Sequence, residues 1–98
     1  MERISVPIAA GVSAEEVAAA VERIALETGP LVRIRRTLKQ NPGGAHWHLA
    51  TPDQPGTLEV THWPQTGELW LSIHDNRRAS WITRTAPHFS QKVSAQLT

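Results

Sequence analysis

The sequence predicts an α+β domain: a mainly antiparallel sheet of four or five strands with two helices on one face, in the order strand, helix, four strands, helix. Three observations carry this. Apolar residues recur at helical spacing after a capping motif near residue 13, four segments of period-2 alternation follow with turn residues between them, and a second helical stripe closes the chain.

The first strand is read from Ile4, Val6 and Ile8, which alternate with Arg3, Ser5 and Pro7; Pro7 cannot donate to a ladder and favours an edge or a strand end. Ser13-Ala14-Glu15-Glu16 is a capping box, in which the serine hydroxyl accepts the N–H three residues on and Glu16 reaches back to the Ser13 N–H. Ala14, Val17, Ala18, Val21, Ile24 and Ala25 then form one stripe of a helix. Thr28-Gly29-Pro30 ends it, because glycine supplies the left-handed cap and proline forbids continuation.

Leu31 to Gln40, Ala45 to Ala50, Thr57 to Trp63 and Glu68 to Asp75 each alternate apolar and polar residues. Asn41-Pro42-Gly43-Gly44, Thr51 to Gly56, and Pro64-Gln65-Thr66-Gly67 separate them with turn chemistry, and connections this short imply an antiparallel meander. The last helix is expected over Ala79 to Leu97, on Ile82, Ala86, Phe89, Val93 and Leu97. Pro87 has no N–H for the Thr83 carbonyl, so a kink or break is expected near Thr85 and Ala86.

The turns also suggest a register. With Gln40 opposite Ala45, Leu49 opposite Leu58 and Trp63 opposite Glu68, the apolar sides of the four strands coincide. The other face then carries rows running Lys39, His46, Thr61, Trp70; Thr37, His48, Glu59, Ser72; and Arg35, Ala50, Thr57, His74. Both helices would cover the apolar side and leave this face to water or a partner.

Composition bounds the function. Ninety-eight residues, 40% apolar and 19% charged, make a single domain, residues 1–98, with one core. The absence of cysteine excludes disulfides, thiolate catalysis and cysteine metal sites, and makes a cytoplasmic location the default expectation. No stretch approaches the ~20 apolar residues of a membrane span, so no membrane partner is expected. The net charge of +1 divides unevenly: residues 1–29 hold five acids against two bases, and the remainder eight bases against four acids.

No glycine-flanked serine elbow precedes a helix, and the one adjacent carboxylate pair, Glu15 and Glu16, belongs to the helix cap, so the reading leans away from an enzyme. The first reading is an interaction module, a homodimer or protein-binding domain, using Trp63, Trp70, His46, His48 and Arg35 on the polar sheet face, because a large indole facing solvent marks a contact surface. Trp47 and Trp81 are instead expected in the core. A second reading is nucleic-acid binding through Arg33, Arg35, Lys39, Arg77 and Arg78, with Asn76-Arg77-Arg78 just ahead of a helix N-terminus that favours phosphate. No cofactor is required by either. A third reading is a zinc site at His46, His48, Glu59 and His74: an HxH on a strand places two imidazoles on one side, about 6.5 to 7 Å apart at Cα, and Glu59 lies beside His48.

Overall fold

The computed structural model describes residues 1–37, 44–75 and 79–98, with the side chains of Val32 and Arg35 alone described in the third of its seven elements. These are β1 (Glu2–Ser5), α1 (Ala14–Thr28), β2 (Leu31–Thr37), β3 (Ala45–Ala50), β4 (Leu58–Trp63), β5 (Glu68–Ile73) and α2 (Ser80–Leu97). One five-stranded sheet has the order β1-β5-β4-β3-β2, and every neighbouring pair is antiparallel. The α+β architecture expected from the sequence is the one observed. Among the described residues no helix is long and apolar enough to cross a membrane.

The helix ends form as their residues dictate. Ser13 Oγ accepts the Glu16 N–H at 3.0 Å, while the Ser13 N–H donates to Glu16 Oε1 at 3.3 Å. Gly29 closes α1 at φ 108°, and its N–H donates to the Ala25 carbonyl at 3.0 Å. Val17, Val21, Ile24 and Ala25 of α1 and Ile82, Phe89 and Val93 of α2 are buried against Trp47, Leu49, Leu58, Val60, Leu69, Leu71 and Ile73. Both helices therefore lie on one face of the sheet. Trp47 and Trp81 are core residues, at 0% and 4% exposure; the Trp81 indole N–H donates to the Pro55 carbonyl at 2.8 Å.

β1 is shorter than the alternation of Ile4, Val6 and Ile8 suggested. After Ser5 the chain leaves the sheet at Pro7, and the Val6 N–H donates to the Leu69 carbonyl and the Ala9 N–H to the Leu97 carbonyl, both at 2.8 Å. α2 runs through Pro87 without a break. Thr83 and Pro87 are both exposed, so water can take the carbonyl that the proline leaves without a donor, while Ala86, Phe89 and Val93 hold the buried side in one stripe.

The registers Leu49 opposite Leu58 and Trp63 opposite Glu68 are observed as expected. The β2–β3 register is not. Thr37, not Gln40, pairs with Ala45, Arg36 pairs with His46, and Arg35 pairs with Trp47. The pairing shifts between Val32 and Ile34, where Arg33 is the additional residue of a bulge. From Ile34 to Thr37 the displacement from the expected register is three residues, an odd number, so this part of the strand exchanges faces, while Leu31 and Val32, displaced by four, keep theirs. Arg35, expected on the open face, instead reaches α1 on the helix side, with Nη1 3.1 Å from Glu22 Oε2.

Candidate metal centre

The face of the sheet away from the helices carries His46 and His48 from β3, Glu59 and Thr61 from β4, Trp70 and Ser72 from β5 and Arg3 from β1. Strand alternation puts them there, and the ladder aligns them: His46, Thr61, Trp70 and Ser5 form one row, and His48, Glu59, Ser72 and Arg3 the next.

The second row brings a carboxylate between imidazoles. Glu59 Oε1 lies 3.1 Å from His46 Nε2, and Glu59 Oε2 lies 2.9 Å from His74 Nε2. The two oxygens of one carboxylate thus meet two different histidines. His46 and His48 stand edge to face with ring centroids 4.9 Å apart. One ligand atom each from His46, His48 and Glu59 falls in a group whose members lie within 4.8 Å of one another. A tetrahedral zinc ion holds its imidazole and carboxylate ligands at about 2.0 to 2.2 Å, hence roughly 3.3 to 3.6 Å apart, so the three side chains close on an ion by small rotations.

The surroundings orient these groups. His46 Nδ1 is 2.7 Å from Thr61 Oγ1. With Nε2 given to a metal, Nδ1 carries the ring proton and donates to the threonine hydroxyl, which fixes both tautomer and ring plane. Glu59 is 8% exposed, Thr61 3% and Ser72 7%, although no helix covers this face.

Three of the four residues expected from the sequence for a metal site are therefore together. His74 follows the end of β5 and reaches the far oxygen of Glu59, outside the group of three. It supports the carboxylate from behind. Thr61 was legible as the row neighbour of His46, but its bond to Nδ1 was not anticipated. Arg3 was not anticipated at all: its guanidinium lies 3.8 Å from the centroid of the Trp70 ring, and nothing in the sequence says that the first strand pairs with the last.

The other expected sites fare differently. Trp70 is on the open face, half-buried and capped by Arg3. Trp63 is also half-buried on that face, with its indole nitrogen buried and without a hydrogen-bond partner among the described residues. Of the basic set expected to meet nucleic acid, Lys39, Arg77, Arg78 and the Arg33 side chain lie outside the described residues, and Arg35 is engaged with Glu22. Comparison with known proteins found no matching family model, no matching curated protein and no matching solved structure.

Proposed function

We propose that this chain binds a divalent transition-metal ion, zinc being the best fit to its donors, through His46, His48 and Glu59. The observation that carries the reading is the convergence of three ligand atoms of suitable chemistry from two adjacent strands within 4.8 Å. Two imidazoles and a carboxylate suit zinc. The sheet holds their backbones in register, Thr61 orients His46, and His74 orients Glu59. An ion bound to three protein groups keeps a coordination position for water or another ligand.

This reading is favoured over a protein-docking face centred on Trp70 because the indole is already stacked under a guanidinium of its own chain. It is favoured over nucleic-acid binding because Arg35 pairs with an acid on α1.

Thermal unfolding tests it. A ligand that binds only the native state stabilises it by about 2.7 kcal/mol at 100 times its dissociation constant, on the order of 10 °C for a domain of this size. Added zinc should raise the melting temperature and chelator should reverse the rise. His48→Ala should abolish the response, and His88→Ala, on the exposed side of α2, should keep it. Equal melting temperatures of the wild type with zinc and with chelator would reject a metal function.

A further inference from the structure

Next to the candidate centre the open face carries a second charged group, held in an unusual way. Arg3 sits on the edge strand β1 with its guanidinium carbon over the Trp70 ring, 3.8 Å from the centroid. Among the described residues no carboxylate pairs with it: Glu59 meets His46 and His74, Asp75 meets the terminal amine, and Glu68, which lines a cleft with Arg3 and Trp70, makes no ion pair to it. A guanidinium stacked by its face keeps its N–H donors at the rim, where they can meet a planar or tetrahedral oxyanion.

The ladder relates this cation to the metal group. Arg3 pairs with Ser72, Ser72 with Glu59 and Glu59 with His48, so all four lie in one row across the sheet. β3 and β1 are three strand spacings apart, roughly 14 Å between backbones. Between them lie the short side chains of Thr61 and Ser72, both buried among their neighbours. The His46 and His48 pair stands on one side of these two residues and Arg3 on Trp70 stands on the other. The same face thus presents metal ligands and, beside them, a guanidinium without a carboxylate partner among the described residues.

Charge decides what these two groups would hold together. A dication held by two neutral imidazoles and one carboxylate leaves one net positive charge at the centre, and Arg3 supplies another on the same face. We infer that the open coordination position of the metal centre takes an oxyanion, a carboxylate or a phosphate, bridged on its far side to Arg3. This rests on the metal centre proposed above. Metal and anion are then thermodynamically coupled, each raising the affinity of the other by the same factor.

Cobalt(II) in place of zinc makes the test direct, because its visible absorption reports both loading and a change in the fourth ligand. Cobalt-loaded protein should be titrated with acetate and, separately, with methyl phosphate. A spectral change with acetate alone assigns the carboxylate class, and with methyl phosphate alone the phosphate class; either supports the inference. Arg3→Ala should leave cobalt affinity in the absence of these anions unchanged, which also shows that the site is intact. It should weaken the effective anion by roughly tenfold to hundredfold, the range for losing hydrogen bonds to a charged group. Cobalt affinity should rise when that anion is present in wild type, and rise less in Arg3→Ala. If cobalt binds and neither anion alters its spectrum, or Arg3→Ala binds the anion as wild type does, the inference is overturned while the metal centre stands. If cobalt does not bind, the metal centre falls and this inference with it.

Discussion

At position 62 the alternation of β4 puts an imidazole where Leu58 and Val60 put aliphatic groups. His62 is 1% exposed and its Nδ1 has no hydrogen-bond partner among the described residues. Burial disfavours the charged ring and holds its pKa below the ordinary 6.5. The unfolded chain therefore binds a proton that the native state refuses. Stability is full above 6.5 and falls as pH drops from there toward the lowered native value. His62→Leu, similar in volume and without the stranded nitrogen, should be at least as stable as wild type at pH 7.5, by up to about 1 kcal/mol, and should lose less between pH 7 and 5. Urea midpoints of the two proteins at both pH values check this; an equal loss in both would mean that His62 does not contribute to acid sensitivity. Residues of this kind were legible as positions but not as environments. Period-2 alternation and short turns sufficed to place His46, His48 and Glu59 side by side, since β3 and β4 keep the register their loop implies. They could not show that His74, beyond the end of a strand, would fold back on Glu59, nor that Arg3 would come to lie over Trp70.

An element follows its sequence pattern where one local signal dominates and departs from it where two compete. α1 has an N-cap, an apolar stripe and a glycine stop that agree, and it forms over the residues they mark. β2 has an alternating pattern interrupted by the pair Arg35 and Arg36, and the pattern alone does not say where the extra residue is absorbed. The bulge at Arg33 absorbs it, exchanging the faces of Ile34 to Thr37 relative to the expected register and sending Arg35 to Glu22. In α2 the competition is between Pro87 and the buried stripe, and the stripe prevails. The missing N–H and the ring clash cost about 3 kcal/mol in a helix interior, while proline returns roughly 0.4 to 1 kcal/mol by restricting the unfolded chain. The first effect is larger. Pro87→Ala, at an exposed position where no packing is lost, should therefore stabilise the protein by about 1 to 2 kcal/mol, the difference reduced by hydration of the Thr83 carbonyl in the wild type. A higher urea midpoint with an unchanged slope is the expected result, and no gain would show that α2 bends enough to relieve the clash.

Viewed as a whole, the molecule has a sheet with two edges, and they are protected differently. β1 is four residues long, is followed closely by Pro7 and has the terminal amine tied to Asp75 at 3.2 Å. β2 is seven residues long, and its outer side has no strand partner among the described residues. Exposed Val32 belongs to this strand and exposed Leu26 shares a cleft with it, so on length and apolar surface this edge invites pairing with another copy. Charge opposes that. An antiparallel pairing of two β2 strands would bring the stretch containing Arg33, Arg35 and Arg36 of one copy against the same stretch of the other, and like charges close together across a strand pair destabilise it. The bulge at Arg33 adds local twist to the same edge. Arg33→Thr with Arg35→Thr should therefore produce concentration-dependent growth in light scattering that the wild type lacks. The double variant also breaks the ion pair from Arg35 to Glu22, but both partners are about half exposed, and such pairs contribute only about 0.2 to 1 kcal/mol, too little to expose the core. Glu22→Gln separates the two effects, because it removes the same ion pair, keeps an acceptor for the Trp47 indole N–H and leaves both arginines in place. It should scatter as wild type does. If Glu22→Gln associates as strongly as the arginine variant, loss of native packing rather than an unguarded edge is the cause.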